Sequence, residues 1–272
     1  MSATPADSLR CVLDFLRGVE DRAARRREPF SWGTALFNDD FPIIHDLNFL
    51  RVDGGPEDAT ADALAAEADR LLGGAGLSHR KVVLEDEGLG NRLKSRFQEL
   101  GWEVVSLLYM EALREPDRPL TSGIAQEVDI DAHLRVRDSS LRQDPEFATN
   151  EEAIVQMRDC FKVWASTSET RVFAALVDGV PVSSCELYSD GKTAQIEAVL
   201  TLEAHRNRGL GVAVVLLALQ EARKAGHDMV FLIAEDDDWP KEMYKKLGFD
   251  PIGRTHEFKI PDVSKVGQQK DS

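Results

Sequence analysis

Ala194-Gln195-Ile196-Glu197-Ala198-Val199-Leu200-Thr201-Leu202 is apolar and rich in β-branched residues, and it predicts a mostly buried strand. Residues 212–224 turn polar only at their end, where Arg223 and Lys224 precede Gly226, and they predict a helix with a glycine stop. Between the two lies Arg206-Asn207-Arg208-Gly209-Leu210-Gly211. A glycine-bearing turn from a strand into a helix can present backbone N–H groups to a pyrophosphate. Gly209 and Gly211 remove side chains that would keep phosphate oxygens away, and Arg206 and Arg208 add positive charge. The expectation is a nucleotide-containing cofactor. A dinucleotide-binding Rossmann turn would need a third glycine where this chain has Val214, and no G-x-x-x-x-G-K-[ST] phosphate loop occurs.

Downstream, residues 230–234 read as a strand, and Met243-Tyr244-Lys245-Lys246-Leu247-Gly248-Phe249 as a helix end, a glycine and a new strand. Upstream, residues 171–188 read as a hairpin with Asp178-Gly179 at its turn. With these segments in this order, the chain resembles the GNAT superfamily of N-acetyltransferases. Arg206, Gly209 and Gly211 fit its [QR]-x-x-G-x-[GA] motif, and residues 244–249 fit its Tyr-x-x-Leu-Gly-Phe segment. The likeness covers residues 124–260. It departs from the family at Asp237 and Pro240, where an Asn and an Ala are common; residues 235–240 read instead as an acidic loop leading into a helix.

The resemblance implies acetyl-CoA as acyl-donor substrate and transfer to a primary amine of a small molecule by direct attack. It places Val199, Leu200 and Thr201 along the pantetheine arm, and Arg206, Asn207, Arg208, Gly209, Leu210, Gly211 and Val212 around the pyrophosphate. It assigns Tyr244 as proton donor to the departing thiolate and Glu197 as acceptor of the amine proton; Glu186 and Tyr188, on the preceding strand, are fallback candidates for acceptor contact. Two alternatives stay open: another acyl donor, either a different acyl-CoA or aminoacyl-tRNA, and a non-catalytic sensor of CoA or a metabolite.

The first half repeats the pattern of the second in outline. Phe97-Gln98-Glu99-Leu100-Gly101-Trp102 parallels residues 244–249 at an offset of 147 positions, but carries Phe97 for Tyr244 and has no motif turn. Residues 7–27 and 61–72 predict helices, 31–37 and 46–52 strands, 79–84 a strand, 90–100 a helix and 102–113 a strand. The basic run 22–27 reads as a solvated helix face. Pro116, Pro119 and Gly123 mark a linker. The expected fold class is α/β (α+β): two GNAT-like domains in tandem, each with a mixed, mostly antiparallel central sheet flanked by helices. Residues 1–120 would form a degenerate domain and 121–272 the acetyl-CoA-binding one.

Composition narrows the function further. The 272 residues carry a net charge of −15, which repels polyanions and favours a cationic acceptor over nucleic acid. No apolar run is long enough to span a membrane, and residues 1–7 lack signal-peptide character, so a cytoplasmic protein is expected, with a homodimer compatible. Cys11, Cys160 and Cys185 are too scattered for a disulfide framework or zinc site and are expected to be buried. His205 and His256 have no partner at ligand spacing, no metal is expected, and no G-x-S-x-G string marks a serine nucleophile.

Overall fold

The computed structural model describes residues 4–120, 123–145 and 147–262. Its contacts divide the chain into two units. One comprises Leu16–Leu108, Glu235–Asp237 and Gly253–Ser272, and the other Met1–Phe15, Tyr109–Ala234 and Asp238–Ile252. The units are therefore not the contiguous segments 1–120 and 121–272 that the linker suggests. The reason is topological: the last strand of the chain completes the sheet of the first unit, and the chain's first residues belong with the second.

In the first unit, α1 (Pro5–Ala23, of which residues 16–23 fall here) leads into β1 (Arg26–Phe30) and β2 (Gly33–Phe37). These pair antiparallel from Arg26↔Phe37 to Phe30↔Gly33. The expected strand at 31–37 is thus shortened, with Ser31 and Trp32 forming the turn. The basic run 22–27 is no helix face: it crosses from α1 into β1, where Arg26 pairs with Glu28 and lies 3.8 Å over the Phe37 ring. Alternating exposure along β1 lets a strand carry charges that the helical reading had assigned to solvent. β3 (Phe49–Val52) pairs antiparallel with β2 and is preceded by a 3-10 turn at His45–Leu47, so the strand expected from 46 starts later.

Helix α2 (Ala61–Ala68) ends in a π-helical turn, Asp69–Gly73, and is followed by β4 (Arg80–Leu84), parallel to β3. Then come α3 (Glu87–Glu99), capped by Asp86 accepting from Leu89 N at 2.6 Å, and β5 (Glu103–Ala112), of which residues 103–108 fall here. The core gathers Phe37, Leu50, Leu64, Leu72, Val82, Phe97 and Phe258. Thr60 caps α2 by accepting from Ala63 N at 3.3 Å. Thr60→Ala is expected to lower the stability of this unit by about 1 kcal/mol, read as an earlier urea midpoint for its transition.

The second unit orders its strands β10-β9-β8-β7-β6. After β6 (Ala125–Val128) come α4 (Ile130–Gln143) and α5 (Glu151–Ala165). The hairpin of β7 (Glu169–Val177) and β8 (Val180–Ser189) follows. Asp178 and Gly179 both have positive φ, 51° and 79°, as the two-residue turn requires. β9 (Thr193–Thr201) is antiparallel to β8, and α6 (Leu210–Ala225) crosses to β10 (Met229–Glu235), which is parallel to β9. α7 (Pro240–Lys246), with Pro at its start, leads to β11 (Phe249–Ile260). The far half of β11 pairs antiparallel with β4, from His256↔Leu84 to Ile260↔Arg80.

The two units share an order of elements: an antiparallel hairpin, a third antiparallel strand, a helix, a parallel strand, a second helix and a glycine joint. Gly101 and Gly248 sit at φ 83° and 91° after α3 and α7. Beside each, an aromatic pair five residues apart packs edge to face: Phe97 with Trp102 at 5.1 Å and Tyr244 with Phe249 at 6.3 Å. Cys160 and Cys185 are buried as expected, whereas Cys11 is exposed on α1.

Candidate active site

In β9 the strand periodicity breaks where the site begins. Glu186 pairs with Glu197 and Ser184 with Leu200, so Ala198 and Val199 together oppose Cys185 alone. Ala198 takes φ 50°, the mark of a bulge. Strict alternation would put Glu197, Val199 and Thr201 on one face. The bulge separates them: Glu197 keeps the face of Glu186, while Thr201 pairs with Ser183 and approaches α6. The parallel pairing with β10 runs from Met229↔Thr193 to Leu232↔Ile196, and both strands continue past it. The β9–β10 pairing therefore ends just before the bulge.

The turn that follows β9 carries two exposed arginines into the start of α6. Arg206, Asn207, Arg208 and Gly209 are all exposed. Asn207 (φ 60°) and Gly209 (φ 76°) take left-handed conformations. No side chain caps α6, and its first turn carries no acidic residue. Ala213 N is the first amide to bond back, to Gly209 O at 3.0 Å, which leaves the Leu210, Gly211 and Val212 amides at the helix mouth. Gly209 has open space around it and serves its φ; Gly211 serves closeness, since a Cβ there would lie 3.3 Å from Thr201 Oγ1 and 3.9 Å from Val199 Cγ1. Arg206 Nε donates to Thr201 O at 3.2 Å, tying the turn to the end of β9, and Arg208 Nη1 lies 3.1 Å from His205 Nδ1. The candidate residues 199–201 and 206–212 thus converge.

Tyr244 lies on α7, only 7% exposed. Burial pushes its phenol above the usual tyrosine value, and the charges of Glu197, Cys185 and Asp238 act in the same direction. It therefore stays protonated, the form that can give a proton. Glu197, half-buried on β9, accepts from Gln195 Nε2 at 2.6 Å and from Ala198 N at 3.1 Å.

Sequence reasoning missed a buried polar network behind Glu197. His133 Nε2 lies 2.7 Å from Glu186 Oε1 and His133 Nδ1 3.0 Å from Ser184 Oγ. Arg137 Nη1 donates to Glu186 Oε1 at 3.1 Å, and the Tyr188 hydroxyl donates to Glu186 Oε2. Burial favours the neutral acid at Glu186, but the hydrogen bond to His133, the charge of Arg137 and the Tyr188 donor outweigh it and hold the carboxyl below the usual range. Ser184 and His133 are fully buried and Glu186 is 2% exposed, so this serine–histidine–glutamate string has no access to substrate. Glu186 and Tyr188 spend their polar atoms on each other and on α4, and are not placed to touch an acceptor. The available signal was a polar pair four apart, His133 and Arg137, beside the apolar Ala132 and Val136 of one helix. Among the described residues, no group of three His, Cys, Asp or Glu side chains is placed to hold a metal, and no helix is long and apolar enough to cross a membrane.

The profile of the acetyltransferase (GNAT) family matches residues 135–249, which include the bulge, the turn and Tyr244. This segment is a GNAT-family domain. A Bacillus subtilis (strain 168) protein described as the uncharacterized N-acetyltransferase CgeE is 34% identical over 79 residues, 28% of this chain and 30% of that protein. The chain thus spans less than a third of that relative's length. Among solved structures, a GCN5-related N-acetyltransferase from Kribbella flavida superimposes with a TM-score of 0.58 at 19% identity, covering 96% of this chain and 98% of its own. A tandem GNAT protein from the clavulanic acid biosynthesis pathway, solved without AcCoA, gives a TM-score of 0.53 at 17% identity, covering 77% and 74%. At these identities the likeness is one of fold, and it agrees with the tandem α/β arrangement read from the sequence.

The start of α6 differs from the corresponding joint of the first unit. There α2 is capped by Thr60, follows Glu57 and Asp58, and bears Asp62 in its first turn, so one of its first amides already has a side-chain partner. One acyl-CoA per chain is the expected stoichiometry, measurable by isothermal titration; two equivalent sites would contradict this reading.

Proposed function

We propose that the chain transfers an acetyl group from acetyl-CoA to a primary amine of a small molecule by direct attack. The observation that carries this reading is the uncapped start of α6, with left-handed Asn207 and Gly209 before it and Gly211 closing on Thr201. Leu210, Gly211 and Val212 amides would hold the diphosphate with Arg206 and Arg208 beside it. Val199, Leu200 and Thr201 would line the pantetheine arm beyond the end of the β9–β10 pairing. Acetyl-CoA supplies the activated acyl group. Forming the amide bond then requires a neutral amine nitrogen and a proton for the sulfur as the carbon–sulfur bond breaks. Glu197 takes the amine proton, and the phenol of Tyr244 supplies the other. Membership of the GNAT family supports acyl-CoA as donor class, and acetyl is its simplest member.

The net charge of −15 favours a cationic amine over tRNA as a partner. Thermal melts with acetyl-CoA, CoA and longer acyl-CoA thioesters test donor binding, since a ligand of the folded state raises the midpoint. Thiol release from acetyl-CoA across a panel of primary amines tests transfer. Binding of CoA with no thiol release beyond hydrolysis would favour a sensor. Absence of binding would remove the proposal.

A further inference from the structure

Glu197 has both carboxylate oxygens engaged by donors of its own strand. Gln195 Nε2 donates to Oε2 at 2.6 Å, and the amide of the bulge residue Ala198 donates to Oε1 at 3.1 Å. Gln195 is 5% exposed, two residues before Glu197 on the same face, so its amide has little choice of partner. Across the sheet, its neighbour is another carboxylate. Its register partner on β8 is the carboxylate of Glu186, itself balanced by His133 and Arg137 of α4 and by Tyr188. Tyr188 is the register partner of Gln195, and both its phenol and that of Tyr244 on α7 respond to the charge of Glu197. A carboxylate facing another carboxylate in a half-buried setting tends to take up a proton. Donors bound to its ionised form oppose that tendency.

We infer that Gln195 is a positioning residue, which keeps the Glu197 carboxylate ionised and fixed in orientation to receive the proton of the acceptor amine. The inference rests on the role proposed for Glu197 and adds to it a residue that touches neither substrate. It explains a polar side chain in a strand interior otherwise lined by Ala194 and Ile196, both buried.

The test replaces Gln195 by Met, which keeps the length and removes the donor, in the full chain. Carbon-13 spectra of protein labelled at glutamate carboxyls give the Glu197 resonance as the one lost in Glu197→Gln. Its titration midpoint is expected to rise by about one on the pH scale in Gln195→Met, because the ionised form loses a charge-assisted hydrogen bond. In thiol-release assays with acetyl-CoA and the best amine of the panel, kcat/KM is expected to fall about ten- to a hundredfold in the parent background. In the Glu197→Gln background it should fall less than about twofold, with KM for acetyl-CoA unchanged in both. An unmoved Glu197 midpoint, or an equal loss in the two backgrounds, overturns the inference. If Glu197→Gln itself leaves the rate intact, the base role falls and the positioning role with it, an outcome separable from failure of Gln195 alone. Should melting curves show that Gln195→Met does not fold, Gln195→Glu keeps the shape while replacing the donor by an acceptor. The midpoint is then expected to rise at least as far, and an unchanged one overturns the inference.

Discussion

A Gly209→Val, Gly211→Val double variant is expected to bind acetyl-CoA at least about a hundredfold more weakly than the parent chain. The two substitutions act differently. At Gly209 the backbone has φ 76°, which a β-branched side chain resists by about 1–2 kcal/mol, and relaxation to negative φ would turn the first α6 amides away. At Gly211 the conformation is helical, but a Cβ would stand 3.3 Å from Thr201 Oγ1, and the branches beyond it would fill the space where the helix start meets the end of β9. Together they remove about 3 kcal/mol of binding, which is the stated hundredfold. Isothermal titration measures it, and a melting curve checks that the fold persists. Affinity within about threefold of the parent would exclude the turn as the diphosphate site.

Tyr244→Phe is expected to lower turnover by about ten- to a thousandfold while leaving the affinity for acetyl-CoA unchanged. The phenol lies in a mostly buried position, its ring edge-on to Phe249, and phenylalanine fills the same volume. What is lost is the proton. Burial and the negative charge of Glu197 keep that proton in place at neutral pH. The loss should therefore be the same across the neutral range, and it should be smallest for acyl donors whose leaving thiol is most acidic, which need the proton least. Steady-state rates with two thioesters of different thiol acidity read this directly. An equal, undiminished rate with both removes Tyr244 from the chemistry.

The helix-to-strand joints at Gly101 and Gly248, the hairpin turn at Asp178-Gly179 and the strand-to-helix joint at 206–211 were legible because each is a local matter. A glycine at positive φ, or an apolar period that changes from two to 3.6, is written in a few adjacent residues. Less was legible in residues 22–37, where arginines of helical composition enter an edge strand because β2 offers them a pairing edge and the Phe37 ring. The unit boundary was also hidden, since residues 256–260 pair with residues 80–84 of β4, far away in the chain. Long-range pairing leaves no mark in either segment alone.

The amino-acid order by itself determined the turn at 206–211, the aromatic–glycine joints and the family they indicate, because backbone conformation there depends on the residues in the turn and nothing distant. Only the tertiary structure decided where Glu197 and its neighbours point. The bulge at Ala198 shifts the register against β8, so that Glu197 and Thr201 leave on opposite faces, and the fold of α4 onto β8 fills the space behind Glu186 with His133 and Arg137. A strand has a period of two until a partner strand forces an extra residue into it, and that partner is named only when the chain is folded.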